Sequence, residues 1–160
     1  MVRIPIKLLN LHDDGFHLLV EVVVFGHLFK AVLDTGASRT VFDKHTAEKH
    51  LSDDIQMYNT NLQSTGLGTN TMESYSLVVP DLRLGVDTFA DTSKSHVLHL
   101  RNFEVAVLDL SAINYAYERM DLEPVIGVIG GDILVHYGAI IDYRKMELRI
   151  GERPQRRRLD

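Results

Sequence analysis

The stretch Ala31-Val32-Leu33-Asp34-Thr35-Gly36-Ala37-Ser38 constrains this chain more than any other. An apolar run stops at an acid, which is followed by a hydroxyl residue, a glycine and two small residues. The apolar run predicts a buried strand that delivers the Asp34 carboxylate to a tight loop. Gly36 permits the backbone angles of such a loop, and its missing Cβ lets a substrate or another chain come close. Asp-Thr-Gly also occurs in ordinary hairpin turns, so the rest of the chain has to decide between a turn and a site.

Short apolar segments surround this stretch. Residues 3–11 alternate loosely, Asp13-Asp14-Gly15 signals a turn, and residues 16–25, rich in valine and aromatic side chains, predict the strongest strand. Gly26-His27 turns the chain and residues 28–33 return as the partner strand, so this hairpin ends at Asp34. Residues 43–51 predict a short helix with Asp43 as its N-cap. Residues 55–63 and 71–79 predict strands flanking a polar loop, 64–70, that contains Gly66 and Gly68. Pro80-Asp81 is expected to break the second of these strands, with further strands over 82–85 and 103–110. Residues 111–120 predict a helix that Glu123-Pro124 ends. The run from Val125 to Gly131 reads as an apolar strand whose glycines imply close backbone packing. Residues 132–137 predict one or two helical turns, with Asp132 as N-cap, and 139–143 with 146–150 a final strand pair in which Asp142 has a strand-end or turn role. Short strands at regular spacing with brief helices indicate a mainly β domain. It spans residues 1–152, and a basic tail, 153–160, carries Arg153, Arg156, Arg157 and Arg158.

The chain has 160 residues, 45% hydrophobic and 24% charged, enough for one domain with a real core. Formal net charge is −5 and the pI is about 5.9, which gives no reason to expect a nucleic-acid partner. There is no cysteine, which excludes disulfides, thiolate metal sites and a cysteine nucleophile. The N-terminal charges Arg3, Lys7, Asp13 and Asp14 interrupt any signal-peptide core, and no segment approaches the ~20 uninterrupted apolar residues of a membrane helix. The expectation is a soluble, cytoplasmic protein without a membrane partner, provided Met1 is the native start.

Spacing removes further chemistries. No Gly-x-Ser-x-Gly elbow is present, and Gly66-Leu67-Gly68 completes neither a dinucleotide nor a phosphate loop. The eight histidines include one close pair, His96-x-x-His99, whose surroundings look extended and which lacks a third ligand nearby. No metal and no cofactor are expected. Asp34 remains. A lone aspartate, with an ordinary pKa near ~3.9, is neither a good base nor an available acid at neutral pH. Two carboxylates held together cannot both ionise, so one can act as base while the other acts as acid. Such a pair would activate a water against an amide carbonyl without a covalent intermediate. The sequence holds only one Asp-Thr/Ser-Gly triplet, so the second carboxylate would come from a second copy of the chain about a two-fold axis.

At this point the residues resemble the retropepsin-like aspartic proteases, the single-lobe relatives of pepsin-like enzymes. Residues 32–38 look like that family's catalytic loop, 64–69 resemble its glycine-containing flap, and Val128-Ile129-Gly130-Gly131-Asp132-Ile133-Leu134 resembles the strand and helix behind the loop. Residues 139–143 with Leu148 look like cellular and bacterial members. The resemblance spans roughly residues 16–150 and implies a single-lobe, acid-protease-like closed β barrel with a few short helices. It implies that Asp34 is the catalytic acid/base and that Thr35 locks the two loops across a homodimer. It implies that Gly36 offers an N–H to the carboxylate and Ser38 a hydroxyl to its outer oxygen. Thr65, Gly66, Leu67, Gly68 and Thr69 would close over a peptide or protein substrate, and Ile129 and Gly130 would brace the loop from behind. Residues 86–124 exceed the compact viral type, and the basic tail is a poor interface strand, so the dimer contact is expected to differ from interleaved viral termini. Two functions follow: an aspartic endopeptidase, or a catalytically silent peptide-binding or dimerisation module that keeps the fold.

Overall fold

The computed structural model describes residues 1–65, 71–86 and 96–155. The chain is mainly β. In order it forms β1 (Val2–Asn10), β2 (Phe16–Val24), β3 (His27–Leu33), β4 (Val41–Asp43), α1 (Lys44–Glu48), β5 (Met57–Thr65) and β6 (Thr71–Leu84). It continues with β7 (Leu98–Leu108), α2 (Ser111–Arg119), β8 (Gly127–Ile129), α3 (Gly131–Leu134), β9 (Ile140–Asp142) and β10 (Glu147–Ile150). The strand order is β5-β6-β7-β4-β8-β3-β2-β1-β10-β9, and an added β6–β2 pairing joins two strands far apart in that order. The expected barrel is therefore a ring, β2-β3-β8-β4-β7-β6, with β5 on one side and a β1-β10-β9 arm on the other.

The β2–β3 hairpin turns at Phe25 and Gly26, both with positive φ (56° and 74°), the arrangement that matches the twist of a two-residue hairpin. The turn thus falls one residue earlier than Gly26-His27. At α1, Asp43 is the N-cap, its carboxylate accepting the Thr46 N–H at 3.1 Å.

Two expectations fail for identifiable reasons. Pro80 does not break a strand: β6 runs continuously from Thr71 to Leu84. On its non-β7 side β6 pairs with β5 up to Leu77 and with β2 only from Leu82. Pro80 sits in the gap between those partners, where a missing N–H costs no ladder bond. The ladder to β7 steps from Val79↔Phe103 to Asp81↔Arg101, and Asn102 between them takes a positive φ of 49°. That same long partner draws β7 into strand geometry from Leu98, five residues before the expected start at 103.

Asp132 is likewise not an N-cap. Gly130 occupies that position, and Asp132 stands in the first turn of α3, its carboxylate accepting the adjacent Ile133 N–H at 2.9 Å and the Thr40 hydroxyl at 2.7 Å. Asp142 does end β9 in a turn, accepting the N–H groups of Arg144 and Lys145 at 2.9 Å each.

The main core gathers the inward faces of the ring and the arm, with Phe42, Leu77, Leu82, Ile126, Ile129 and Leu148 among its fully enclosed side chains. A second, smaller cluster joins Leu11, Leu19 and Val32 to Tyr117 of α2 and to Val125. Val32 and Leu33 therefore face two cores, one on each side of the sheet, which fits a continuous apolar strand rather than an alternating one.

The strand that matters most to Asp34 is held by β8. β3 and β8 run parallel, with Ala31↔Gly127, Val32↔Val128 and Leu33↔Ile129 in register. β8 also pairs antiparallel with β4. Gly127 faces Val41 so closely that a Cβ there would overlap the Val41 carbonyl oxygen. Gly127→Ala should therefore push β4 off β8 and destabilise the protein by about 2–3 kcal/mol, measured as a lower urea midpoint at unchanged slope.

Candidate active site

Asp34 is the first residue beyond β3. Its N–H donates to the Ile129 carbonyl at 3.0 Å, so the parallel ladder extends one step past the strand. The chain then turns: Ala37 N–H donates to the Asp34 carbonyl at 3.2 Å, and Gly36 N–H donates to Asp34 Oδ1 at 2.9 Å. One carboxylate oxygen is thereby fixed by the loop. Asp34 is half-buried while Thr35 and Gly36 are exposed, so the acid is accessible but not free to rotate. A side chain at Gly36 would stand 3.3 Å from Asp34 Oδ1, crowding the carboxylate.

Behind the loop lies a knot of hydrogen bonds. Ala37 and Ser38 carbonyls accept the N–H groups of Gly131 and Asp132 at 2.8 and 3.0 Å. Thr40 is fully buried. Its hydroxyl donates to Asp132 Oδ1 at 2.7 Å and accepts the Gly130 N–H at 3.1 Å, while its own N–H donates to Asp132 Oδ2 at 2.8 Å. Every polar group in this contact is matched, as burial requires. Gly130 has to be glycine, because a Cβ would lie 2.5 Å from the Arg39 carbonyl oxygen and 2.9 Å from that of Ala37.

The positions singled out in the sequence fall as follows. Asp34, Thr35 and Gly36 share one tight loop, with Ile129 bonded to it and Gly130 tied to it through Thr40. Ser38 is exposed, and the contact made by its backbone is with Asp132 rather than with Asp34. Thr65 ends β5, and Gly66, Leu67, Gly68 and Thr69 lie outside the described residues. His96 and His99 are engaged separately: His96 Nδ1 with the Arg3 carbonyl at 3.0 Å, and His99 Nε2 with Asp81 at 2.5 Å. Sequence reasoning missed the Thr40–Asp132 pair. The signal was faint: a lone hydroxyl before the apolar Val41-Phe42, with nothing in one sequence to connect it to an acid 92 positions away.

Asp34 and Thr35 border a cleft of about 510 Å³. Its walls are mostly apolar, including Phe16, Leu18, Val32, Val128, Ile141 and Tyr143, and α2 contributes Ile113. His17 also lines it, with Nδ1 hydrogen-bonded to the Tyr117 hydroxyl at 2.6 Å. Burial raises the Tyr117 pKa above its ordinary value. Among the described residues lining the cleft, Asp34 is the one carboxylate.

A family model described as aspartyl protease matches residues 20–133, most of the chain. The chain belongs to the aspartyl protease family. The match begins in β2 and ends in α3, so it includes both the Asp34 loop and the Thr40–Asp132 knot behind it. Two solved structures share the fold. A retropepsin-like aspartic protease from Rickettsia conorii is 20% identical with a TM-score of 0.50, over 93% of this chain and 88% of that one. The retroviral protease-like domain of Ddi1 from Leishmania major is 20% identical with a TM-score of 0.51, over 84% of this chain and 87% of that one. A search of curated proteins gives no match.

The geometry of the Asp34 loop depends on one buried hydroxyl. Thr40→Val keeps the shape but leaves the Gly130 N–H and the Asp132 carboxylate short of partners. It should cost about 2–3 kcal/mol in chemical denaturation and shift the amide resonances of residues 34–38, whereas Thr40→Ser should restore most of both.

Proposed function

We propose that this chain is an aspartic endopeptidase that works as a homodimer, hydrolysing peptide bonds with a water held between two Asp34 carboxylates. The observation that carries the reading is the placement of one accessible, loop-fixed carboxylate at the edge of an apolar cleft. The cleft of a single chain offers no second acid among its described residues, so one chain holds half of the machinery.

In the assembled pair, one carboxylate is ionised and its neighbour protonated. The ionised group takes a proton from the bound water as its oxygen attacks the amide carbonyl. The protonated group donates to the carbonyl oxygen, giving a tetrahedral diol. Collapse returns a proton to the amide nitrogen, and the C–N bond breaks to release an amine and a carboxylic acid. No nucleophilic side chain and no cofactor take part. The loop bonds supply orientation: Gly36 N–H on one Asp34 oxygen leaves the other to face water and substrate. An extended peptide suits the site, since apolar walls can receive alternate side chains while main-chain groups pair with neighbouring backbone.

A catalytically silent binding module is the second reading. It is favoured by the incompleteness of the site in one chain, because activity depends wholly on assembly.

Asp34→Asn should lower cleavage of an unstructured protein substrate by about 10²–10⁴-fold with an unchanged melting temperature. Cleavage retained at the wild-type rate would remove Asp34 from the mechanism, and peptide binding without cleavage by the wild-type dimer would favour the silent module.

A further inference from the structure

We infer that His17 is a specificity-determining residue: its Nε2–H donates a hydrogen bond to the terminal oxygen of a Glu or Gln side chain in a peptide lying along the Asp34 cleft, and Tyr117 sets the ring for that role. The inference rests on the protease reading, which lays a peptide in this cleft, and adds what one part of the cleft recognises.

Most of the cleft is apolar and would accept any aliphatic or aromatic side chain. His17 is the exception. Among the described lining residues it is the one side chain that carries nitrogen. It is half-buried as the second residue of β2, in register with Leu9 of β1. A few polar groups in an otherwise apolar pocket are what fix a ligand's orientation and identity.

Tyr117 decides which ring nitrogen is available. It lies in α2 at 2% exposure, packed with Leu11, Leu19, Val32 and Val125. Asn114 of the same helix fastens α2 in place, its side chain accepting the Val125 N–H at 2.8 Å and donating to the Val125 carbonyl at 3.1 Å. From there the phenol meets His17 Nδ1 at 2.6 Å, its one hydrogen bond among the described residues. Burial raises the Tyr117 pKa, so the phenol keeps its hydrogen. A buried hydroxyl has to spend that hydrogen on an acceptor, and Nδ1 is the acceptor within reach. The ring's own hydrogen then sits on Nε2, which has no partner among the described residues.

Protonation of the ring would reverse the bond to Tyr117 and still leave Nε2–H a donor. In either state His17 meets the cleft as a donor, and a site built around a hydrogen-bonding group rejects a ligand that leaves it unpaired. A Met side chain fills the space of Gln but offers no comparable acceptor, and a Lys brings a second donor.

The test uses the full chain and a set of extended, otherwise apolar peptides in which each position in turn carries Glu, Gln, Met or Lys. At one position the Glu and Gln peptides should be cleaved with kcat/KM about tenfold above the Met and Lys peptides. The same ranking should appear in peptide binding to Asp34→Asn, followed by fluorescence anisotropy. His17→Phe should erase the ranking. The double variant His17→Phe with Tyr117→Phe should erase it too, and it strands no buried hydroxyl, which guards against misfolding. Tyr117→Phe alone should weaken the ranking, and nitrogen NMR of the His17 imidazole should change from the Nε2–H tautomer in wild type to a mixture of tautomers. If the His17–Tyr117 bond only ties β2 to α2, these variants would lower the melting temperature and leave the ranking unchanged, which would overturn the inference. An Nδ1–H tautomer in wild type would overturn it as well. Ranked binding without cleavage would sink the protease reading alone, cleavage without ranking would sink this inference alone, and peptides neither bound nor cleaved would sink both.

Discussion

Thr40 is a buried hydroxyl whose hydrogen bonds are made within the protein, and the shape of the Asp34 loop follows from how that need is met. It bonds the Gly130 N–H and the Asp132 carboxylate, and the same acid accepts the Thr40 N–H. These contacts fasten the start of β4 to the start of α3. Between Asp34 and Thr40 the chain therefore has both ends anchored, one by the parallel β3–β8 ladder and the other by the knot. Buried polar networks that are fully matched fix a single arrangement, and here the arrangement is the loop that presents Asp34.

From that constraint the rest of the site follows. Gly127 and Gly130 are required because β4 and residues 37–39 lie against them with no room for a side chain. Strand β3 lies between two apolar clusters, Leu33 in the main core and Val32 in the smaller one that α2 backs with Tyr117. The carboxylate is thus carried on rigid elements, as a precisely oriented site requires, while the cleft in front of it remains open and apolar. Incompleteness is the other half: the described residues place one acid at this cleft, so the activity proposed above would depend on association.

Much of this was readable from the residues, and the unreadable parts share a cause. The strand before Asp34, the hairpin turns and the Asp43 cap are local features, set by apolar runs, by turn residues such as Gly26, and by a side chain reaching three residues ahead. Pro80 misled because its tolerance depends on which strands flank β6, and that is decided by β2 and β5 far away in sequence. Asp132 misled for the same reason: its position before a helix suggests a cap, but a buried partner 92 residues distant claims the carboxylate. β4, three residues long, has no periodicity to detect and exists because β7 and β8 hold it on both sides. Local chemistry was legible; long-range polar pairing and strand partnership were not.

The central claim is that Asp34 works only beside its copy from a second chain. Subunit mixing tests it most directly. Wild-type protein is exchanged with Asp34→Asn protein at constant total concentration, and cleavage is measured against the wild-type fraction. If each active site draws one carboxylate from each chain, activity falls with the square of that fraction. Activity that falls linearly would mean that one chain suffices, and would contradict a shared site.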